Sequence, residues 1–413
     1  MSLRIPPSLL HRRFFLLWAG LMISLAGSQM QVWALFWHIR TLTKAPLALG
    51  GIGLARILPV LVFSLIGGSF ADTVNRRKIL FVTQTGMALG ALALGLLTLL
   101  GHIQLWHIYF LTALQAVAVS FDTPARQAVV PNLVPPKDLP NAFSMTSIAG
   151  QTGSIVGPAL SGLIIAYWGL SYIYIINAIS FLAVILALVM MGSIPQQAQP
   201  TKQPAVNLTA IREGIQFIVT HPIILSTMVI DFFATFFSSA NTLMPIFARD
   251  VLGVGAIEYG WLSAAQSIGA LMAALVVSQV KEIRQQGPAF LVSVAIFGFA
   301  TIAFGLSPTV AVAMLALILV GAADSVSTII RNTIRQLQTP DYIRGRMTGV
   351  NQIFFMGGPQ LGEVEAGLVA QFFGAPFAII SGGIGCLVAV AWIVRRWPQL
   401  WVYRGDEAIK AGI

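Results

Sequence analysis

The sequence contains a single cysteine, Cys386, and very few charged residues. One cysteine excludes an intrachain disulfide and a cysteine-cluster metal site. Charged residues make up 9% of the 413 residues, whereas soluble domains carry about 25%. The composition therefore predicts an all-α membrane protein that has little soluble mass.

The motifs of the common hydrolases and nucleotide-binding enzymes are also missing. No Gly-x-Ser-x-Gly, His-Glu-x-x-His or Gly-Lys-Ser/Thr phosphate loop occurs. The five histidines lie far apart along the chain: His11, His38, His102, His107 and His221. We expect neither an enzyme nor a bound cofactor or metal, and no built-in ATP motor.

The net charge of +10 alone would suggest a nucleic-acid partner. However, the cations lie in short loops between apolar runs, and no basic helix or aromatic–basic platform occurs. If both termini are cytoplasmic, most of the 24 lysines and arginines fall on the cytoplasmic side, as the positive-inside rule requires. We therefore expect a lipid bilayer, and no nucleic acid, as the partner.

Long apolar runs dominate the chain, and a spanning helix needs about 20 such residues. That length predicts twelve membrane spans at roughly 13–39, 47–71, 79–101, 106–130, 140–167, 170–192, 222–248, 257–280, 288–306, 309–336, 346–373 and 376–397. The polar segment 193–221 separates six spans from six. We thus expect an N-terminal bundle over 1–192, a cytoplasmic linker over 193–221 and a C-terminal bundle over 222–413.

The two halves repeat each other. Four residues of the first half match four in the second at nearly constant spacing: Arg126, Pro135, Pro158 and Gly169 match Arg331, Pro340, Pro359 and Gly374. Two like-oriented halves related about the membrane normal are one form of internal repeat in transporters.

A charged island, Gly67–Leu80, separates the second and third runs. Its glycine, aromatic residue, acid and two arginines are Gly68, Phe70, Asp72, Arg76 and Arg77. This order resembles the cytoplasmic signature loop of the major facilitator superfamily. The resemblance implies a fold of twelve transmembrane helices in two pseudo-symmetric six-helix bundles.

A glycine–proline pattern marks the fifth span, where small residues permit close helix contact. It comprises Gly150, Gly153, Gly157, Pro158 and Gly162. The pattern resembles the span-five motif of facilitator antiporters, and that resemblance favours efflux as the direction of transport.

Two further stretches, 124–136 and 337–346, are similar to the drug:proton antiporter branch that includes the enterobactin exporter and macrolide-type efflux proteins. The resemblance implies proton-coupled efflux of a bulky amphipathic small molecule, a siderophore or a drug, by alternating access. It also implies a monomer in the plasma (inner) membrane. The alternative is a receptor or sensor that has a transporter fold and moves no substrate.

Polar residues at helical spacing occur in the first, fourth, seventh and tenth spans, which surround the central cavity of the facilitator fold. Polar side chains inside a membrane are costly and usually face a bundle interior or wet cavity. The candidates for the substrate cavity are Gln31, Arg56, Gln115, Asp231, Thr235, Asp324 and Thr328. Contact between neighbouring helices is the alternative explanation for each polar stripe.

Three acids are candidates for proton coupling: Asp231, Glu363 and Glu365. Asp231 has no cation nearby in its own helix, so we expect an unpaired carboxylate, protonated much of the time. It would carry a proton or contact a cationic substrate; the alternative is a neutral acid bonded to a neighbouring helix. Asp231 favours cationic substrates, whereas Arg56 and the in-span arginines favour anionic or catechol ones.

A structural charge network is expected to lock the cytoplasmic gate. Asp72, Asp122 and Arg126 would form this network. The gate as a whole would comprise Gly68, Asp72, Arg76, Arg77, Asp122, Arg126 and Arg331. Asp122 and Arg126 are four residues apart, which suits an ion pair on one helix face. Asp324 with Arg331 would be the counterpart in the second half.

Overall fold

The computed structural model describes residues 6–192, 208–238, 240–280, 283–340 and 343–405, excluding the side chains of 64–73, 208–211, 240, 344–346, 348–350 and 352–356. Every regular element in these ranges is helical. The helices are α1 (Arg12–Leu42), α2 (Pro46–Thr73), α3 (Arg76–Leu99), α4 (Leu105–Val129), α5 (Leu139–Tyr167), α6 (Leu170–Met191), α7 (Leu208–Thr220), α8 (Pro222–Phe237), α9 (Met244–Ile246), α10 (Ala256–Gln279), α11 (Gln286–Gly305), α12 (Val310–Leu337), α13 (Arg344–Phe373), α14 (Ala375–Arg396) and α15 (Pro398–Val402).

Ten helices over the described residues are long and apolar enough to cross a membrane. The helices α4 and α13 are not among the ten. Both carry acids and amides within their length, including Asp122 in α4 and Glu363 in α13. The chain is therefore a multi-pass membrane protein.

Contacts between Cα atoms divide the chain into two compact units. Unit 1 comprises Met1–Leu42 and Ala55–Val206, and unit 2 comprises Thr43–Leu54 and Asn207–Ile413. The first part of α2 therefore packs with the second unit. The bundle boundaries given in the sequence analysis remain a prediction.

In unit 1, α1 packs against α5 and α6, and α3 packs against α4 and α6. A core of buried aliphatic and aromatic side chains joins these helices near their loop ends, and it includes Phe14, Leu80, Val129 and Leu188. Small residues let the helices approach closely, as in other membrane bundles.

Unit 2 repeats this pattern of packing. There, α8 packs against α13 and α14, and α11 packs against α12 and α14. The junction before α6 and the junction before α14 each contain a glycine with positive φ, Gly169 at 92° and Gly374 at 86°. Pro158 lies inside α5 and Pro359 lies inside α13. The residue matches found in the sequence thus occupy equivalent places in the helix order.

The seventh apolar run departs from a continuous helix. The helix α8 ends at Phe237, and the chain continues through a 3-10 turn (Ala240–Leu243), α9 and a π-helix (Phe247–Val251). Pro245, which lacks an N–H, lies within this segment. In the expected linker, α7 is an amphipathic helix that packs on α13, and residues 193–207 lie outside the described residues.

Candidate functional site

Unit 2 contains a polar cavity of about 260 Å³. Among the described residues, the lining has one carboxylate, Asp324, and no lysine or arginine. The lining residues come from α8, α10, α11, α12, α13 and the segment after α8: Thr235, Ser238, Asn241, Gln266, Ser267, Ala270, Phe297, Val320, Gly321, Asp324 and Pro359. Two predicted site residues, Thr235 and Asp324, therefore face the same space.

Glycines bring α10 and α12 into close contact beside this cavity. A Cβ at Gly321 would strike the carbonyl of Gln266, and a Cβ at Gly269 would strike the carbonyl of Ile318. Because both positions meet backbone atoms, larger side chains would force the helices apart. This seam places Gln266 of α10 and Asp324 of α12 on neighbouring helices of the lining.

The break after α8 supplies part of the wall. Irregular backbone at membrane depth is tolerated only where it is buried in protein or lines a cavity, and Ser238 and Asn241 line this one. The buried amide oxygen of Asn241 has no hydrogen-bond partner among the described residues. Asn241 therefore contributes to the lining, while its amide oxygen is itself shielded from the open space.

A buried ion pair lies beside the cavity. The carboxylate Oδ1 of Asp231 on α8 pairs with Nη1 of Arg331 on α12, and both residues are at most 9% exposed. The expectation of an unpaired Asp231 is therefore wrong. A desolvated charge requires a partner. For Asp231 that partner is Arg331 on another helix, and the prediction rested on the helix of Asp231 alone.

The predicted pairing of Arg331 with Asp324 is also not what the structure shows. Arg331 pairs with Asp231 and donates through Nη2 to Thr328 Oγ1 at 3.4 Å. Asp324, two turns earlier on α12, is exposed at the cavity and makes no ion pair within the described part of the chain.

Glu363 and Glu365, both in unit 2, differ in solvent exposure. Glu363 is buried at 9% exposure, while Glu365 is half-buried. A Cβ at Gly53, in the part of α2 that belongs to unit 2, would lie 3.0 Å from Glu363 Cβ. Glu363 thus lies in a tight contact between helices, and its proton-coupling role stays a prediction.

Unit 1 contains a chain of amide side chains across three helices. Asn177 Nδ2 donates to Gln31 Oε1 at 2.7 Å, and Gln31 Nε2 donates to Gln115 Oε1 at 2.7 Å. Gln31 is 3% exposed. Two of the predicted cavity residues, Gln31 and Gln115, are thus bonded to each other, and their place in a substrate cavity stays a prediction.

The i,i+4 ion pair in α4 is confirmed. Arg126 Nη2 lies 2.9 Å from Asp122 Oδ2, and Asp122 is 1% exposed. Thr83 and Gln84 on α3 donate to Oδ1 of the same carboxylate at 3.0 Å and 2.8 Å. The carboxylate thus joins α3 to α4.

The arginines of the charged island bind helix carbonyls. Arg76 donates to the carbonyl of Ala128 at 3.0 Å, and Arg77 donates to that of Leu188 at 2.9 Å. Cations at these positions complement the C-terminal ends of α4 and α6. The side chains of Gly68 and Asp72 lie outside the described residues, so the gate as a whole stays a prediction.

The glycine–proline motif of α5 contacts α1. A Cβ at Gly157 would lie 2.6 Å from Gln29 Cβ, and one at Gly153 would lie 3.1 Å from the backbone of Leu25 and Ala26. Pro158 and Gly162 are buried on the same helix, whereas Gly150 has nothing within 4 Å. The motif therefore builds the α1–α5 seam.

Arg56 lies over the ring of Phe36, with Cζ 5.5 Å from the centroid, inside unit 1. This distance suits a cation–π contact. Arg56 is half-buried, and its contact with a substrate stays a prediction.

Several residues with polar side chains that the structure brings into contacts or into the cavity lining are not among the predicted site residues. Asn177, Thr83, Gln84, Asn241 and Gln266 are polar residues inside long apolar helices or their continuation, and that isolation was the available signal. In the described ranges, no three His, Cys, Asp or Glu side chains lie together as metal ligands would.

Apolar helices of spanning length, a polar cavity and a buried ion pair define a multi-pass membrane transporter. Residues 6–401 match the MFS_3 family, described as transmembrane secretion effectors, and the chain belongs to that family. It is similar to the enterobactin exporter EntS of Shigella boydii serotype 18, at 27% identity over 78% of this chain and 77% of the relative. EntS of Escherichia coli O81 is 26% identical over the same shares.

Solved structures of other transporters share the fold. A bacterial homologue of the human lysosomal transporter Spinster, inward-facing and unoccupied, aligns with a TM-score of 0.75 at 14% identity over 96% of this chain and 98% of that one. The nucleoside transporter NupG aligns with a TM-score of 0.71 at 16% identity over 95% and 99%. These neighbours identify the major facilitator fold.

Proposed function

We propose that this protein exports a bulky amphipathic small molecule, a siderophore or a drug, by proton-coupled alternating access. The observation that carries the proposal is the polar cavity of unit 2 with the Asp231–Arg331 pair beside it. Membership of the secretion effector family and similarity to proteins named as enterobactin exporters support export as the direction.

The proposed architecture has twelve transmembrane helices in two six-helix bundles. The protein would lie as a monomer in the plasma (inner) membrane with both termini in the cytoplasm, as the distribution of lysine and arginine favours. The repeated packing order within the two units supports two bundles of like construction, as transporters with internal repeats have.

The Asp231–Arg331 pair offers a route for proton coupling. Protonation of Asp231 would remove the negative charge from the buried pair with Arg331, and neutralising one member of a buried pair costs about 3–5 kcal/mol. The free energy of this state falls when Arg331 becomes exposed to water. Proton binding would therefore favour a different conformation, which is what coupling requires.

The test is flux through the purified full chain in proteoliposomes. With an imposed proton gradient, enterobactin and a panel of amphipathic drugs are offered, and gradient-driven movement that a protonophore abolishes is expected for at least one compound. Binding without movement of any compound would favour the receptor or sensor alternative instead.

The proton carrier is identified by neutral variants at the three acids. Asp231→Asn, paired with the double variant Asp231→Asn/Arg331→Gln to avoid an unpaired arginine, should lose gradient-driven transport but keep downhill exchange. Glu363→Gln and Glu365→Gln are measured alongside. Full gradient-driven transport in Asp231→Asn would remove this residue from the coupling step.

A further inference from the structure

Asp324 is the charge that a transported molecule would meet in the cavity of unit 2. Asp231 is already neutralised by Arg331, and none of the described lining residues is a lysine or arginine. Asp324 is exposed at the wall and makes no ion pair among the residues that the structure describes. A carboxylate without a countercharge in a low-dielectric setting attracts a cation.

The other polar atoms of the lining also suit a hydrogen-bond donor. Asn241, Gln266 and Ser267 contribute amide and hydroxyl groups to the lining. Thr235 and Ser238 lie at the C-terminal end of α8, where the helix dipole places partial negative charge. An ammonium group carries three donors and no acceptor, so its hydrogen bonds match this set.

The size of the cavity limits how much of the ligand it holds. At about 260 Å³, it is smaller than the roughly 300–1,000 Å³ of sites that enclose drug-sized ligands. It is also far larger than a site that coordinates a bare metal ion with several oxygens at about 2.3–2.6 Å. A short alkylammonium arm of a larger molecule fits between these limits.

We propose that the cavity is an ammonium subsite, in which Asp324 binds the protonated amine of an amphipathic substrate. This rests on the proposed export function and gives its substrate class. Gln266 and Ser267 on the neighbouring helix α10 complete the polar lining, while Phe297 and Val320 would contact the alkyl arm.

The test is binding of a matched pair of probes to the full chain in detergent. Dansylcadaverine carries a primary ammonium at pH 7.5, since such amines titrate near the lysine value of about 10.4; its N-acetyl derivative is neutral and has the same fluorophore. Fluorescence titration should show the ammonium probe binding at least about tenfold more tightly. Equal affinities in the wild type, or no binding of either probe, would overturn the inference without any mutation.

Variants locate the preference. Asp324→Asn should bring the ammonium probe to the affinity of the neutral one, and Asp324→Glu should retain the preference. Asp250→Asn removes a carboxylate from an exposed position of the same unit that does not line the cavity, and it should behave as wild type. A preference that persists in Asp324→Asn contradicts the assignment.

The two proposals fail in different ways. If the charge preference is absent but other compounds move with the proton gradient, the ammonium subsite is wrong and the export function stands. If Asp324-dependent binding is found but no compound moves, the subsite stands and the export function is wrong.

Discussion

Arg331 on α12 forms its ion pair with Asp231 on α8, one hundred positions away in the chain, and not with Asp324 on its own helix. The pair ties two helices of unit 2 together next to the polar cavity. The pair also distinguishes the two acids, because Asp231 is neutralised by Arg331 whereas Asp324 lines the cavity.

A double-mutant cycle on this pair should show strong coupling. Arg331→Gln or Asp231→Asn alone leaves one buried charge without its partner and should cost about 3–5 kcal/mol of stability. The double variant should recover much of that loss. Thermal unfolding in detergent is measured for the wild type, the two single variants and the double variant. If the stability losses of the single variants simply add in the double variant, the pair contributes no specific interaction.

Substitution of Gly157 should weaken the α1–α5 seam. In Gly157→Ala the new Cβ would lie 2.6 Å from Gln29 Cβ and 3.0 Å from the carbonyl of Ala26, and overpacking of this kind costs about 1–3 kcal/mol. Gly150→Ala in the same helix meets nothing within 4 Å and is the matched control. A melting temperature for Gly157→Ala equal to that of Gly150→Ala would refute the close contact.

Loss of the Asp122 carboxylate should destabilise unit 1 more than loss of a carboxylate whose ion-pair partner is partly exposed. Asp122→Asn breaks the pair with Arg126 and alters the bonds from Thr83 and Gln84. Removing one partner of a buried pair costs about 3–5 kcal/mol.

Asp138→Asn is the comparison. It breaks a pair with His11 whose side chain is 34% exposed, and pairs near the surface contribute about 0–1 kcal/mol. Comparable unfolding midpoints for the two variants would contradict the structural role given to Asp122.

Tyr403 should anchor the end of unit 2. Its side chain is fully buried, its hydroxyl accepts from Gln338 Nε2 at 3.0 Å, and its carbonyl accepts from the N–H of Gly287 at 3.0 Å. Tyr403→Phe should cost about 1 kcal/mol for one hydrogen bond, and Tyr403→Ala about 3–5 kcal/mol, as large aromatic truncations do.

The neighbouring aromatic residue Trp401 provides the control, because it is 47% exposed. Trp401→Ala should leave the unfolding midpoint of the detergent-solubilised protein nearly unchanged. A Tyr403→Ala variant as stable as Trp401→Ala would show that the buried tyrosine does not support the unit.

Local features of this fold were predictable from sequence because their causes are local. The sixth apolar run predicts a span at 170–192, and the helix is Leu170–Met191. The length of the apolar run fixes both ends of this helix. The Asp122–Arg126 pair followed from a spacing of four. The resemblance to the major facilitator superfamily came from such short motifs, and the family match confirms it.

The features that failed depend on distant parts of the chain. The partner of Asp231 lies on another helix, so no window around residue 231 contains it. The break after Phe237 was hidden because the apolar run continues through Met244 and Phe247. Hydropathy reports how apolar a segment is and carries little information about the path of its backbone.

The interruption after α8 has no equivalent in α1, which runs unbroken from Arg12 to Leu42. A protein assembled by duplicating the first half of the gene would therefore reproduce the helix order without this interruption, and so without the wall that Ser238 and Asn241 contribute. The helix order is shared by the two units, and the described polar cavity lies in the unit whose first long apolar run is interrupted.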